Sequence, residues 1–212
     1  MKENDLIEQL VRNHQKVTPV EPIRSRFFKW LIISVICLSV GISTLGLRED
    51  WQILFTNPLL LIQNVFIFLS VIMTGFFSIK LSQPGEVFKT KTKPLIIIIT
   101  NLWLLILLAI GLVNDFNMQE FSKIKLGCVK DILILGIIPG AILFILMLKG
   151  VILKNKIAGL FAFITAFSLG AWGVQYTCHN DDPIHILLWH FIPVLLLGMI
   201  GITFGNKFIK KV

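Results

Sequence analysis

Pro94-Leu-Ile-Ile-Ile-Ile-Thr-Asn-Leu-Trp-Leu-Leu-Ile-Leu-Leu-Ala-Ile-Gly-Leu-Val113 runs through the chain without one acidic or basic residue. A helix rising 1.5 Å per residue needs about 20 such residues to cross a ~30 Å hydrocarbon core. Lipid permits only helices and closed barrels, because every backbone polar group must be satisfied internally. Barrel strands alternate polar with apolar, and the Ile96–Ile99 stretch does not alternate. Working outward, five further charge-free runs appear at Trp30–Leu47, Pro58–Ile79, Ile132–Leu148, Ile157–Thr177 and Ile184–Asn206. The sequence therefore predicts an all-α integral membrane protein, a bundle of six transmembrane helices over residues 30–212.

The composition agrees. Of 212 residues, 55% are hydrophobic and only 15% charged, whereas a soluble chain carries roughly 25% charged residues. The mean hydropathy is +0.82. Soluble enzymes, disordered tails and nucleic-acid modules are excluded on that ground. The net charge of +8 reads as a topology signal. With the N-terminus cytoplasmic, only Arg48, Lys123, Lys125 and Lys130 of the 20 cations fall outside, as the positive-inside rule expects. Both termini are then inside. About 26 polar residues precede the first apolar run with no small-residue cleavage pattern after it, so a secretory signal is not expected. The loops are short and hold no catalytic domain.

Small residues mark where helices meet. Gly159, Ala162, Ala166, Gly170 and Gly173 form one narrow face of the fifth span, and Gly198, Gly201 and Gly205 do the same in the sixth. Such faces let backbones approach closely. Pro139 and Pro193 are expected to kink their helices.

Residues 1–29 are the one sizeable aqueous segment. In Asp5-Leu-Ile-Glu-Gln-Leu-Val-Arg12, Leu6, Ile7, Leu10 and Val11 share a helical face, with Asp5 and Glu8 forming a capping-box-like pair. So short a cytoplasmic helix is unstable alone in water, and its apolar stripe needs a partner. That partner is either the bilayer and inner loops, or a cytoplasmic protein with a groove. Thr18-Pro-Val-Glu-Pro22 makes an extended spacer before Arg24, Arg26 and Lys29.

The opposite face carries thiols. Cys37 lies mid-span and reads as a small apolar filler. Cys128 stands at the outer start of the fourth span and Cys178 at the outer end of the fifth. Antiparallel neighbouring helices would bring them to one boundary. His179, Asp181 and Asp182 follow directly, then His185 and His190 in the sixth span. Cys128, Cys178, His179 and Asp182 are the candidate ligands for a transient soft or borderline metal ion. A structural disulfide and two unrelated thiols remain alternatives. His185 and His190 are five apart, so a regular α-helix would not stack them, and His190 reads as a hydrogen-bonded intramembrane group. Asp182 also suits the cap of the sixth span, with Pro183 at its first turn.

No intramembrane acid, His-Glu-x-x-His or Gly-x-Ser-x-Gly pattern occurs, so no enzyme is expected and no resident cofactor. Transporters ordinarily need buried charges or broken helices near the midplane. Only Asn64 and Asn101 lie thereabouts.

Over nearly its whole length the chain resembles the NrsF-type anti-sigma factors. The resemblance rests on Asp5-Leu-Ile, Pro19-Val, Arg24, Trp30, Pro84-Gly85, Gly127-Cys128, Pro139, Ala158-Gly159, Gly170-Ala171, Tyr176, Cys178, Asp182-Pro183 and Trp189. It implies a six-helix protein of the bacterial inner membrane that holds an extracytoplasmic-function sigma factor inactive, without touching nucleic acid itself. Residues 1–29, with Leu6, Ile7, Leu10 and Val11, would bind the sigma factor. Cys128 and Cys178 would sense metal or oxidative stress. The runner-up is a small membrane transporter or metal-efflux component using the same outer cluster as its entry. A structural subunit without a sensing role is the third reading.

Overall fold

The computed structural model describes residues 21–83 and 125–209, all of them in helices or short connections. The run Pro94–Val113 and the N-terminal residues Leu6, Ile7, Leu10 and Val11 lie outside the described residues. Among the described residues, five helices are long and apolar enough to cross a membrane. They are α1 (Ile23–Leu45), α3 (Pro58–Lys80), α4 (Leu126–Leu148), α5 (Asn155–Val174) and α6 (Pro183–Phe208). A single-turn helix, α2 (Ile53–Thr56), precedes α3.

Each boundary has a local cause. Gly46 ends α1 at φ 96°, a left-handed conformation that suits glycine. Asn57 caps α3, its Oδ1 accepting from the Leu59 amide at 3.0 Å, with Pro58 at the first helical position. Two helices start at least six residues before their charge-free runs. α1 opens at Ile23, not Trp30, and α4 at Leu126, not Ile132, because absence of charge marks the hydrocarbon and not the helix. Arg24, Arg26, Lys29, Lys130 and Asp131 all sit in helical turns beyond the apolar run.

The core is built around α5. Of its most apolar stretch 67% is buried, against 17% for α1. α5 packs on α3, α4 and α6 and touches α1. The narrow face expected on α5 exists, but it changes partner along its length. At one end Gly159 faces Gly201 and Gly205 of α6, so a Cβ at Gly159 would stand 2.1 Å from the Gly201 carbonyl oxygen. Further along, Ala166 packs against Gly136 and Gly140 of α4, and Gly170 lies against the Ile132 carbonyl. Gly173 meets Leu38 of α1 and Leu135 of α4. Phe28, Ile32, Ile36 and Val40 form the exposed side of α1, an apolar surface that water does not favour.

Gly159→Leu is expected to unseat α6, because the obstacle is backbone and not a flexible side chain. The cost should reach the top of the overpacking range, about 3 kcal/mol. Gly127→Ala, with open space around its Cβ, should be neutral or slightly stabilising. Thermal unfolding in detergent separates the two.

The bundle has two unlike ends. Arg24, Arg26, Lys29, Lys80, Lys149, Lys154, Lys156 and Lys207 gather at one with Glu21, while Glu49, Asp50, Asp131, Asp181 and Asp182 gather at the other with Arg48, Lys125 and Lys130. At the basic end Arg26 is buried at 1% exposure. Its Nη1 donates to Ser82 Oγ at 2.9 Å and to the Leu146 carbonyl at 3.1 Å. It thus joins the root of α1 to the ends of α3 and α4. Trp30, fully buried, donates from Nε1 to the Pro139 carbonyl at 3.0 Å and so docks α1 on α4, which stays helical through Pro139.

Candidate functional site

The acidic end holds the cysteines. Cys128 lies in the first turn of α4, and Cys178 in the loop that follows α5, its amide bonded back to the Val174 carbonyl. Their sulfurs are 3.7 Å apart, and both side chains are half-buried. Both are free thiols.

Two histidines complete the group. His185 Nε2 lies 3.5 Å from Cys128 Sγ and 3.4 Å from Cys178 Sγ. One ligand atom from each of Cys128, Cys178, His185 and His190 falls within 4.8 Å of all the others. Both histidines are buried, and their rings meet edge to face at 5.3 Å between centroids. The hydrogen bond with the Cys128 thiol, reinforced by His185, holds Cys178 below the usual thiol range against the opposing effect of burial.

His190 reaches this cluster through a departure from the α-helix. Leu187–Phe191 form a π turn, in which the Ile192 amide donates to the Leu187 carbonyl five residues back. Pro193 gives the reason: it lacks an amide proton, and its ring clashes with the carbonyl four residues earlier. The chain relieves both by widening one turn, and π turns of this kind recur at functional sites. A widened turn stacks residues five apart. That is the spacing of His185 and His190, which a regular α-helix splays. At Pro193, where the sequence predicts a kink, the structure has this π turn.

Of the four candidate ligands read from the sequence, Cys128 and Cys178 come together here. His179 is exposed and stands outside the cluster. The Asp182 carboxylate caps α6, its Oδ1 accepting from the Ile184 amide at 2.8 Å and the His185 amide at 3.4 Å, as its place before Pro183 suggested. Cys37, mid-way along α1, is remote from the group.

The loop carrying Cys178 is fixed from two sides. Arg48, exposed by only 1%, is held in forks by Asp50 (2.7 and 2.9 Å) and Asp181 (2.8 Å to each oxygen). Its amide donates to the Tyr176 carbonyl at 2.9 Å. The carboxylates push the guanidinium further above its already high range. Arg48 in turn holds the Asp50 carboxyl down at about 2. A depressed carboxyl contributes above its ordinary value and loses that contribution as pH falls through the folded one, so the Asp50 arm is lost only as pH falls through about 2. Below the loop, Asn64 of α3 accepts from Trp172 Nε1 and donates to the Tyr176 hydroxyl at 3.3 Å.

Arg48→Met should loosen this loop without disturbing the helices. One charge-assisted hydrogen bond is worth roughly 1.5–3 kcal/mol, so amide exchange across residues 176–182 should quicken at least about tenfold. Lys130→Met is the control, since Lys130 is exposed and only 3.8 Å from Asp131.

A family model described as "NrsF: Negative regulator of sigma F" matches residues 10–210 of the chain. No curated protein and no solved structure matches.

Proposed function

The chain belongs to the NrsF family of negative regulators of sigma F, and from that membership we propose that it is a membrane-embedded anti-sigma factor with a thiol sensor on its outer face. Its partner is a sigma factor of the extracytoplasmic-function class, held by residues 1–20 at the cytoplasmic side. The charge asymmetry of the bundle supports this sidedness: the basic end fits the cytoplasm, which leaves Cys128 and Cys178 facing out.

The observation that carries the reading is the junction at which those two cysteines meet. Cys128 belongs to α4, Cys178 to the loop that follows α5, and their sulfurs are 3.7 Å apart. Metal or oxidant at that pair alters the tie between the two helices. α4 is a continuous rod of 23 residues, about 35 Å long. Its far end offers the Leu146 carbonyl to Arg26, at the root of the sigma-binding arm. Displacement at one end of α4 therefore reaches the other, and the arm releases its partner.

The energetic demand is modest. A tenfold fall in sigma affinity needs only about 1.4 kcal/mol of coupling. The test is co-purification of a sigma factor from detergent extracts with the full chain and with a chain lacking residues 2–20. A sigma factor retained equally by both would overturn the proposal.

A further inference from the structure

The paired thiols account for only half of the cluster, and a disulfide would use neither histidine. We propose that Cys128, Cys178, His185 and His190 form a four-coordinate site for a zinc-group divalent cation, with both histidines as ligands. This rests on the sensing role proposed above and names its ligand.

The distances fit. A tetrahedral site with arms of ~2.3 Å to sulfur and ~2.05 Å to nitrogen has edges of about 3.8 Å between sulfurs and about 3.6 Å between sulfur and nitrogen. The corresponding separations are 3.7 Å for the two sulfurs and 3.5 and 3.4 Å from them to His185 Nε2. Two sulfurs with two imidazoles is a donor set of tetrahedral zinc sites.

His190 gives an independent sign. Its side chain is 1% exposed, yet neither ring nitrogen makes a hydrogen bond among the described residues. An unsatisfied buried polar group costs roughly 1–3 kcal/mol. A cation bound at one ring nitrogen would remove the part of that penalty that falls on it. The π turn also gains a purpose, since it is what delivers His190 to its place.

The charges balance as well. Both sulfurs bind as thiolates, so as each metal–sulfur bond forms, any proton still held on that sulfur leaves to solvent. A divalent ion with two thiolates and two neutral imidazoles is a neutral centre, suited to a partly buried position.

The experiment uses the full-length chain in detergent, reduced with a phosphine and titrated with Co²⁺ as the spectroscopic probe. One equivalent should give the intense visible bands of tetrahedral cobalt with a sulfur-to-cobalt charge-transfer band, and one equivalent of Zn²⁺ should erase them. His190→Gln should weaken binding by more than about 100-fold, and Pro193→Ala, which permits the α-helical register, by about 10–100-fold. His179→Gln should change nothing. X-ray absorption of the zinc-loaded wild type should report two sulfur and two imidazole neighbours, which tests the ligand set without any variant. Failure of the reduced wild type to bind Co²⁺ or Zn²⁺, or zinc bound without two imidazoles, would overturn the site. Sigma retention measured in parallel separates the two readings. Zinc bound tightly while the sigma factor stays associated refutes the sensing role and leaves the site standing. Oxidant-driven release with no metal bound refutes the site and leaves the sensing role.

Discussion

A chain lacking residues 2–20 is expected to retain no sigma factor at all while its helices still assemble. On the helical spacing of the sequence, Leu6, Ile7, Leu10 and Val11 would share the apolar face of the proposed arm. Burying a side chain of this kind is worth about 1.5–3 kcal/mol, so losing four removes most of the affinity of a typical helix-in-groove complex. Leu6→Asp with Leu10→Asp should already weaken retention by more than about 100-fold. The cut must stop at residue 20. Phe27 and Trp30 are buried in the core and Arg26 ties α1 to Ser82 and Leu146, so a deletion reaching residue 29 would damage the bundle and confuse two effects. The comparison is made by co-purification from detergent, with thermal unfolding of both chains as the check on assembly. The same deletion discriminates against a transporter, in which metal uptake or efflux should hardly notice the arm's loss. Unchanged sigma retention would remove the arm from the mechanism.

How much of this was legible in the sequence depends on which interactions are local. The helices that the structure describes follow from hydropathy, because an apolar run of spanning length has no other stable form in lipid. The Asp182 cap and the close approach of Gly159 to Gly201 follow from short-range chemistry. The site is less accessible to such reading. His179 and Asp182 looked like ligands because they adjoin Cys178, but one is exposed and the other is occupied as a cap. His190 reads from the sequence as a hydrogen-bonded intramembrane group apart from His185, because a spacing of five does not stack on a 3.6-residue turn, yet its ring nitrogens have no hydrogen-bond partner among the described residues. The clue that could have found it was Pro193, three residues on, whose missing amide and bulky ring favour a widened turn. Arg26 and Arg48 were similarly opaque. By sequence one is part of a basic collar and the other a stray outer cation, yet both are buried ties between distant segments. Long-range pairing of this kind leaves no periodic trace.

Cys128→Ser with Cys178→Ser should leave sigma retention intact and remove its response to metal and to oxidant. Serine is close to cysteine in shape, and both positions are half-buried at a polar boundary with His185 within reach, so the fold should lose little. The signal should lose everything. Structural zinc coordination is worth on the order of 10–16 kcal/mol, and a disulfide typically about 2–4 kcal/mol. Either exceeds the roughly 1.4 kcal/mol that a tenfold release requires. Oxygen in place of sulfur forbids the disulfide and replaces a strong thiolate ligand with a weak neutral one. Cys37→Ser, in the middle of α1 and away from the cluster, should respond like the wild type. The readout is sigma release from membranes exposed to Zn²⁺, Cd²⁺ or a thiol oxidant, compared across the three chains. If the double variant still releases its partner on exposure, α4 and α5 are moved by something other than the sulfurs at their ends. If it releases the partner without exposure, the thiols hold the resting state together instead of receiving the signal. Retention without release is the one result consistent with a sensor whose two sulfurs are needed only when the signal arrives.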